Sequence, residues 1–154
     1  MKTTYRIVWV LACLAGALSV LMAAYIAHLP GLEEPALRAL HSALQMLQFH
    51  ALALLLVSSI AQRDPSNGPL FFSALFFLAG LGMFSFNIFL NQLFGIGLFK
   101  PLTPYGGMAF VAGWLALGLS VWSKDRVAKK KSPEGDLKNL RGDFVGTGNP
   151  LQKL

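Results

Sequence analysis

Four long apolar runs, Ile7 to Ala27, Ala36 to Ala61, Leu70 to Leu93 and Gly106 to Trp122, decide what this chain can fold into. At about 1.5 Å of rise per residue, each is roughly long enough to cross a hydrocarbon core of about 30 Å. None carries Lys, Arg, Asp or Glu near its middle. Lipid offers the backbone no hydrogen-bond partner, so such runs must be helical and satisfy their own N–H and C=O groups. The sequence therefore predicts an all-α membrane protein, an antiparallel four-helix transmembrane bundle over residues 1–122 with a basic, flexible cytoplasmic tail over residues 123–154. Charged residues make up 13% of the chain, about half the usual share in a soluble domain.

The first run follows Lys2 and Arg6, as a secretory signal would. Its apolar character persists well beyond the roughly 7 to 15 residues of a signal core, so it reads as a retained span. Cys13 is the single cysteine, which rules out an intramolecular disulfide. It reads as a small apolar residue of that span.

Charge selects an orientation. Lys2 and Arg6 precede the first span, Arg63 lies between the second and third, and eight of the thirteen Lys and Arg residues follow the fourth. The other side has only Arg38 and Lys100. The positive-inside rule then places both termini in the cytoplasm. The expected compartment is a bacterial inner (plasma) membrane, with a mitochondrial membrane as the alternative. Pro35 and Pro104 suit first helical turns, Thr103 suits an N-cap, and Asp64 to Pro69 is a turn rich in helix breakers.

Small residues suggest packing seams. Ala12, Gly16, Ser19, Ala23 and Ala27 recur at steps of four and three, as do Ala109 with Gly113 and Ala112 with Ala116. Such stripes allow close backbone approach in lipid, within the chain or against a second copy or partner protein.

The most function-like pattern is polar. Glu34, Arg38, His41, Gln45 and Gln48 fall on one stripe of the second span. The inferred topology brings Asn87 and Asn91 of the third span, and His28 at the end of the first, to a similar depth. Two readings stand side by side. The set lines a polar cavity in the outer half of the bundle, or it consists of headgroup-zone charges and interhelical hydrogen-bond partners. His50 lies near mid-membrane, away from that stripe. A neutral imidazole there can donate to a backbone carbonyl, accept from a neighbouring side chain, or relay a proton.

The tail begins with Lys124, Arg126, Lys129, Lys130 and Lys131, a cluster suited to contact with anionic lipid headgroups. No folded module or interleaved aromatic set accompanies it, so nucleic-acid binding is not expected. No catalytic motif, cofactor-binding pattern or metal-ligand spacing appears in the chain. The expectation is of no enzyme, no cofactor and no metal.

A family resemblance rests on particular residues. Leu102-Thr103-Pro104-Tyr105-Gly106-Gly107, followed by Phe110-Val111-Ala112-Gly113-Trp114, resembles the signature that opens the last span in the domain of unknown function 423 family. These are small four-span membrane proteins that include relatives of transmembrane protein 256. Ala27-His28-Leu29, His50-Ala51-Leu52-Ala53-Leu54 and Phe84-Ser85 resemble the family in the first three spans. The chain departs from the family pattern at Leu47, where a Gln is usual, and at Phe86 and Asn87, where Gly and Ser are usual. The resemblance implies the four-span architecture and names no activity.

The function expected from the sequence is that of an accessory, scaffold or assembly protein of a larger membrane complex, with a membrane-protein partner or a homo-oligomer. The alternative is a small transporter or channel-like oligomer using the polar cluster.

Overall fold

The structure is a computed structural model that describes residues 2–96 and 101–130, with side chains over residues 3–96 and 101–122. Its elements are helix α1 (Lys2–Ala27), α2 (Glu34–Arg63), α3 (Gly68–Gly80), a π-helical segment (Leu81–Phe86), α4 (Asn87–Phe94) and α5 (Leu102–Lys130). Four stretches are long and apolar enough to span a membrane: Thr3–Ala27, Glu34–Arg63, Gly68–Phe94 and Leu102–Trp122. They match the four runs expected from the sequence, and the protein is a multi-pass helical membrane protein.

Local chemistry sets the boundaries. Pro35 stands in the first turn of α2, where its missing N–H costs no intrahelical bond. Pro69 does the same for α3. In the connector between them, Ser66 Oγ donates to Asp64 Oδ1 at 2.9 Å and the Asn67 N–H donates to the Asp64 carbonyl. Buried Asn67 also reaches across the bundle, its Nδ2 donating to the Ser120 carbonyl of α5 at 3.1 Å. That bond joins the α2–α3 turn to the last described side-chain turns of the fourth span. At the other end, Gly95 adopts a left-handed conformation (φ 69°) that closes α4, with its N–H on the Asn91 carbonyl.

Helix α2 is the centre of the bundle. Half of its most apolar window is buried, against 22% for both α1 and the fourth span. Its buried face, including Leu40, Leu44, Leu47, His50, Leu54 and Val57, packs with Tyr5, Val8 and Ala12 of α1 and with Leu70, Phe77, Leu81, Phe89 and Phe110.

Three details depart from the sequence reading. The third span is not a continuous α-helix, because the π-helical segment interrupts it. Phe77, Leu81, Ser85 and Phe89 are all buried, a spacing of four that an unbroken α-helix would rotate by about 120° from first to last. The wider π turn absorbs that drift and keeps the C-terminal half of the span facing inward. Thr103 is not an N-cap, since α5 begins at Leu102 and places Thr103 within its first turn. The helix also continues past the expected end of the span at Trp122.

Candidate functional site

The residues that draw chemistry together lie around His50. Helical spacing puts it on the core face of α2, at 3% exposure. Its Nδ1 is 2.8 Å from the carbonyl oxygen of Met46, one turn earlier in the same helix. Trp114 of α5 presents its indole nitrogen 3.3 Å from His50 Nε2. A carbonyl only accepts and an indole N–H only donates, so the two partners together select the neutral tautomer with its proton on Nδ1. Phe110 stacks on the imidazole at a centroid separation of 3.6 Å and an interplanar angle of 11°. Phe49 approaches edge-on at 5.3 Å, and Phe77 of α3 lies at 5.4 Å.

Three helices thus close an aromatic cage around one imidazole. With Nδ1 donating and Nε2 accepting, neither nitrogen offers a spare lone pair to a metal ion or a free site to a substrate proton. In this arrangement His50 works as a clasp that ties α2 to α5. Among the described residues, no three His, Cys, Asp or Glu side chains gather as metal ligands would.

Glycines let the clasp close. A Cβ on Gly113 would stand 2.6 Å from the Phe77 ring, and one on Gly80 would strike the Phe110 ring. At Gly106 a Cβ would meet the Phe84 backbone nitrogen at 2.7 Å, so α5 lies directly against the π-helical segment. Beside that contact, Asn87 Nδ2 donates to Thr103 Oγ1 at 2.9 Å. Thr103 and Gly106 therefore pack the start of the fourth span onto the C-terminal half of the third. Gly80 was not singled out from the sequence, and its place among apolar residues gave no signal of a ring overhead. Gly16 and Gly107 make no such close approach within the chain, since a Cβ on either meets nothing within 4 Å. Pro104 of the same motif is exposed.

The polar set separates. Glu34, Arg38, His41, Gln45 and Gln48 do share one stripe of α2, but every one of them is exposed, on the side opposite the core. His28 is exposed as well. Asn87 is buried, and Asn91 is half-buried. These side chains therefore do not line one internal cavity together, and the exposed stripe fits the second of the two readings, that of headgroup-zone charges and partners for another helix. The apolar core face of α2, rich in Leu and Ala, takes the interior and turns the stripe outward. Glu34 and Arg38 approach at 4.0 Å with both side chains about three-quarters exposed, a contact of little energetic weight. Lys124, Arg126, Lys129 and Lys130 fall on the last turns of α5, where side chains lie outside the described residues, as does all of Lys131.

The profile of a family described as "Protein of unknown function (DUF423)" matches residues 22–107. The chain belongs to that family. The matched segment holds His50, Asn87, Thr103 and Gly106, whereas Gly113 and Trp114 follow it. Similar proteins include the UPF0382 membrane protein YwdK of Bacillus subtilis, 28% identical over 112 residues that cover 70% of this chain and 89% of the relative. The UPF0382 inner membrane protein YgdD of Escherichia coli is 29% identical over 113 residues, covering 72% of this chain and 86% of that one. A UPF0382 membrane protein of Haemophilus influenzae is 31% identical over 109 residues, covering 70% and 86%. No solved structure matches the chain. The names of these family members state a membrane location and no activity.

Proposed function

We propose that this DUF423 protein is a non-catalytic accessory, scaffold or assembly subunit of a larger complex in the bacterial inner membrane, with both termini in the cytoplasm. One observation carries the reading: Gln45 and Gln48 point away from the bundle, and Gln48 stands at the midpoint of the 30-residue α2. A carboxamide facing hydrocarbon loses its water partners, at a cost of roughly 2 kcal/mol or more. A neighbouring transmembrane helix offering donors and acceptors removes that cost, and each interhelical hydrogen bond adds about 1 kcal/mol. The clasp around His50 fits the same role, since it makes a rigid platform rather than a working cavity. Inner-membrane residence is supported by the name of the Escherichia coli relative. The orientation is supported by the positive-inside charge pattern.

Purification of the full chain from its native membrane in mild detergent tests the proposal. A stoichiometric partner protein that stays bound through size exclusion is the expected result. Recovery as a lone monomer, or as an oligomer of this chain only, overturns it.

A further inference from the structure

At the end of the bundle where α1 begins and α2 stops, a cleft of about 570 Å³ opens between the two helices. Arg6, Trp9 and Val10 of α1 form one wall, and Ser59, Gln62 and Arg63 of α2 form the other. Arg6 and Arg63 are exposed. Among the described residues neither makes an ion pair, the one such pair being Glu34 with Arg38 at the opposite end of α2. No acidic residue lines the cleft. The Ser59 hydroxyl is turned back onto the Leu55 carbonyl at 2.6 Å, which leaves the two guanidinium groups, the Gln62 amide and the Trp9 indole N–H as the side-chain donors of the lining residues.

We propose that this cleft binds the phosphodiester of an anionic glycerophospholipid. Two guanidinium forks on opposite walls present paired N–H groups, the geometry that matches phosphate oxygens. They sit where the span ends and headgroups begin, the depth at which basic pockets between transmembrane helices take up acidic lipids. Trp9 adds an amphipathic ring at the same level. Toward the membrane centre the cleft turns apolar at Val10 on α1, and the next turn of α2 inward from Ser59 brings Leu55 and Leu56. A free phosphate ion gains nothing from that apolar floor, whereas an acyl chain does. A zwitterionic lipid brings a cationic headgroup against two arginines, so the site favours lipids whose only headgroup charge is the phosphate.

The test uses the delipidated full chain in mild detergent, with native mass spectrometry reading the retention of one added lipid. The probes are dioleoyl phosphatidylglycerol, dioleoyl phosphatidylcholine and inorganic phosphate. Phosphatidylglycerol is expected to bind roughly tenfold more tightly than phosphatidylcholine, by removal of the ammonium–arginine repulsion. R6Q/R63Q is expected to weaken phosphatidylglycerol about 25-fold, or about fivefold per arginine, with unchanged helicity. The basic tail is present in both proteins, so the difference between them reads the cleft. If the double variant does not fold, R63Q alone, with its fivefold loss, carries the same judgement. Undiminished phosphatidylglycerol binding by the variants overturns the proposal. So does displacement of the lipid by equimolar inorganic phosphate, which assigns the cleft to a soluble anion.

Discussion

The Trp114 indole donates to His50 Nε2 across 3.3 Å, joining residues 64 positions apart in the chain. The bond is a main polar link between the second and fourth spans, and the stacked Phe110 covers one face of the imidazole. Trp114→Phe keeps the aromatic bulk but leaves a buried acceptor without its donor. A loss of about 1–3 kcal/mol follows, read as a lower melting temperature in detergent. His50→Phe strands the Trp114 indole N–H in the same way, whereas the double variant H50F/W114F removes both partners of the bond and is expected to cost less than the sum of the two single losses.

Gly106→Ala is expected to destabilise by about 1–3 kcal/mol, since the new methyl meets the Phe84 backbone, which has no rotamer to yield. Gly107→Ala, one position on, enters open space. It should leave the melting temperature unchanged or slightly raised, through the better helix propensity of Ala. Equal effects from the two substitutions would contradict the direct contact of α5 with the π-helical segment.

The Asn87–Thr103 bond lends itself to a double-mutant cycle with Asn87→Leu and Thr103→Val. A coupling of about 0.6 to 1.7 kcal/mol is expected, the range for interhelical hydrogen bonds in a membrane. Additive losses in detergent unfolding would show that the two side chains do not cooperate.

Gln45→Leu with Gln48→Leu should leave folding intact, because both side chains lie outside the core. Under the scaffold proposal the double variant loses its co-purifying partner. Retention of that partner at wild-type stoichiometry would remove the outward stripe of α2 from the interface.

Topology is open to thiol labelling in a Cys13→Ser background. A cysteine at Ser66 should react from the cytoplasmic side together with a tag on either terminus, and one at Gly31 only from the opposite side. Labelling of both positions from one side would refute the up-and-down arrangement.

The four spans were legible because lipid imposes a requirement that length and apolarity alone can meet. His50 was legible in kind, since an imidazole inside a membrane must donate and accept. Its partner was not, because nothing local to position 50 points to Trp114. The stripe from Glu34 to Gln48 was correctly placed on one face of α2, but its direction was hidden. Polar residues in lipid are expected to turn inward, and here the opposite face, with Leu47, Leu54 and Val57, packs better and wins. The glycines show the same division. Spacing marks where close approach is possible, but the overlying Phe77 and Phe110 rings that make Gly113 and Gly80 necessary come from other helices.

The π-helical turn at Leu81–Phe86 makes tolerance of deletion in the third span a matter of position rather than of hydrophobic thickness. Loss of one amino acid inside the turn relaxes it to ordinary α geometry and leaves everything from Asn87 onward facing nearly as before, because a π turn holds about one residue more than an α turn. The same loss in α4, between Asn87 and Phe89, swings Phe89 out of the core by about 100° with no change in overall hydropathy. A one-codon deletion in α4 should therefore harm the protein far more than one within the π turn.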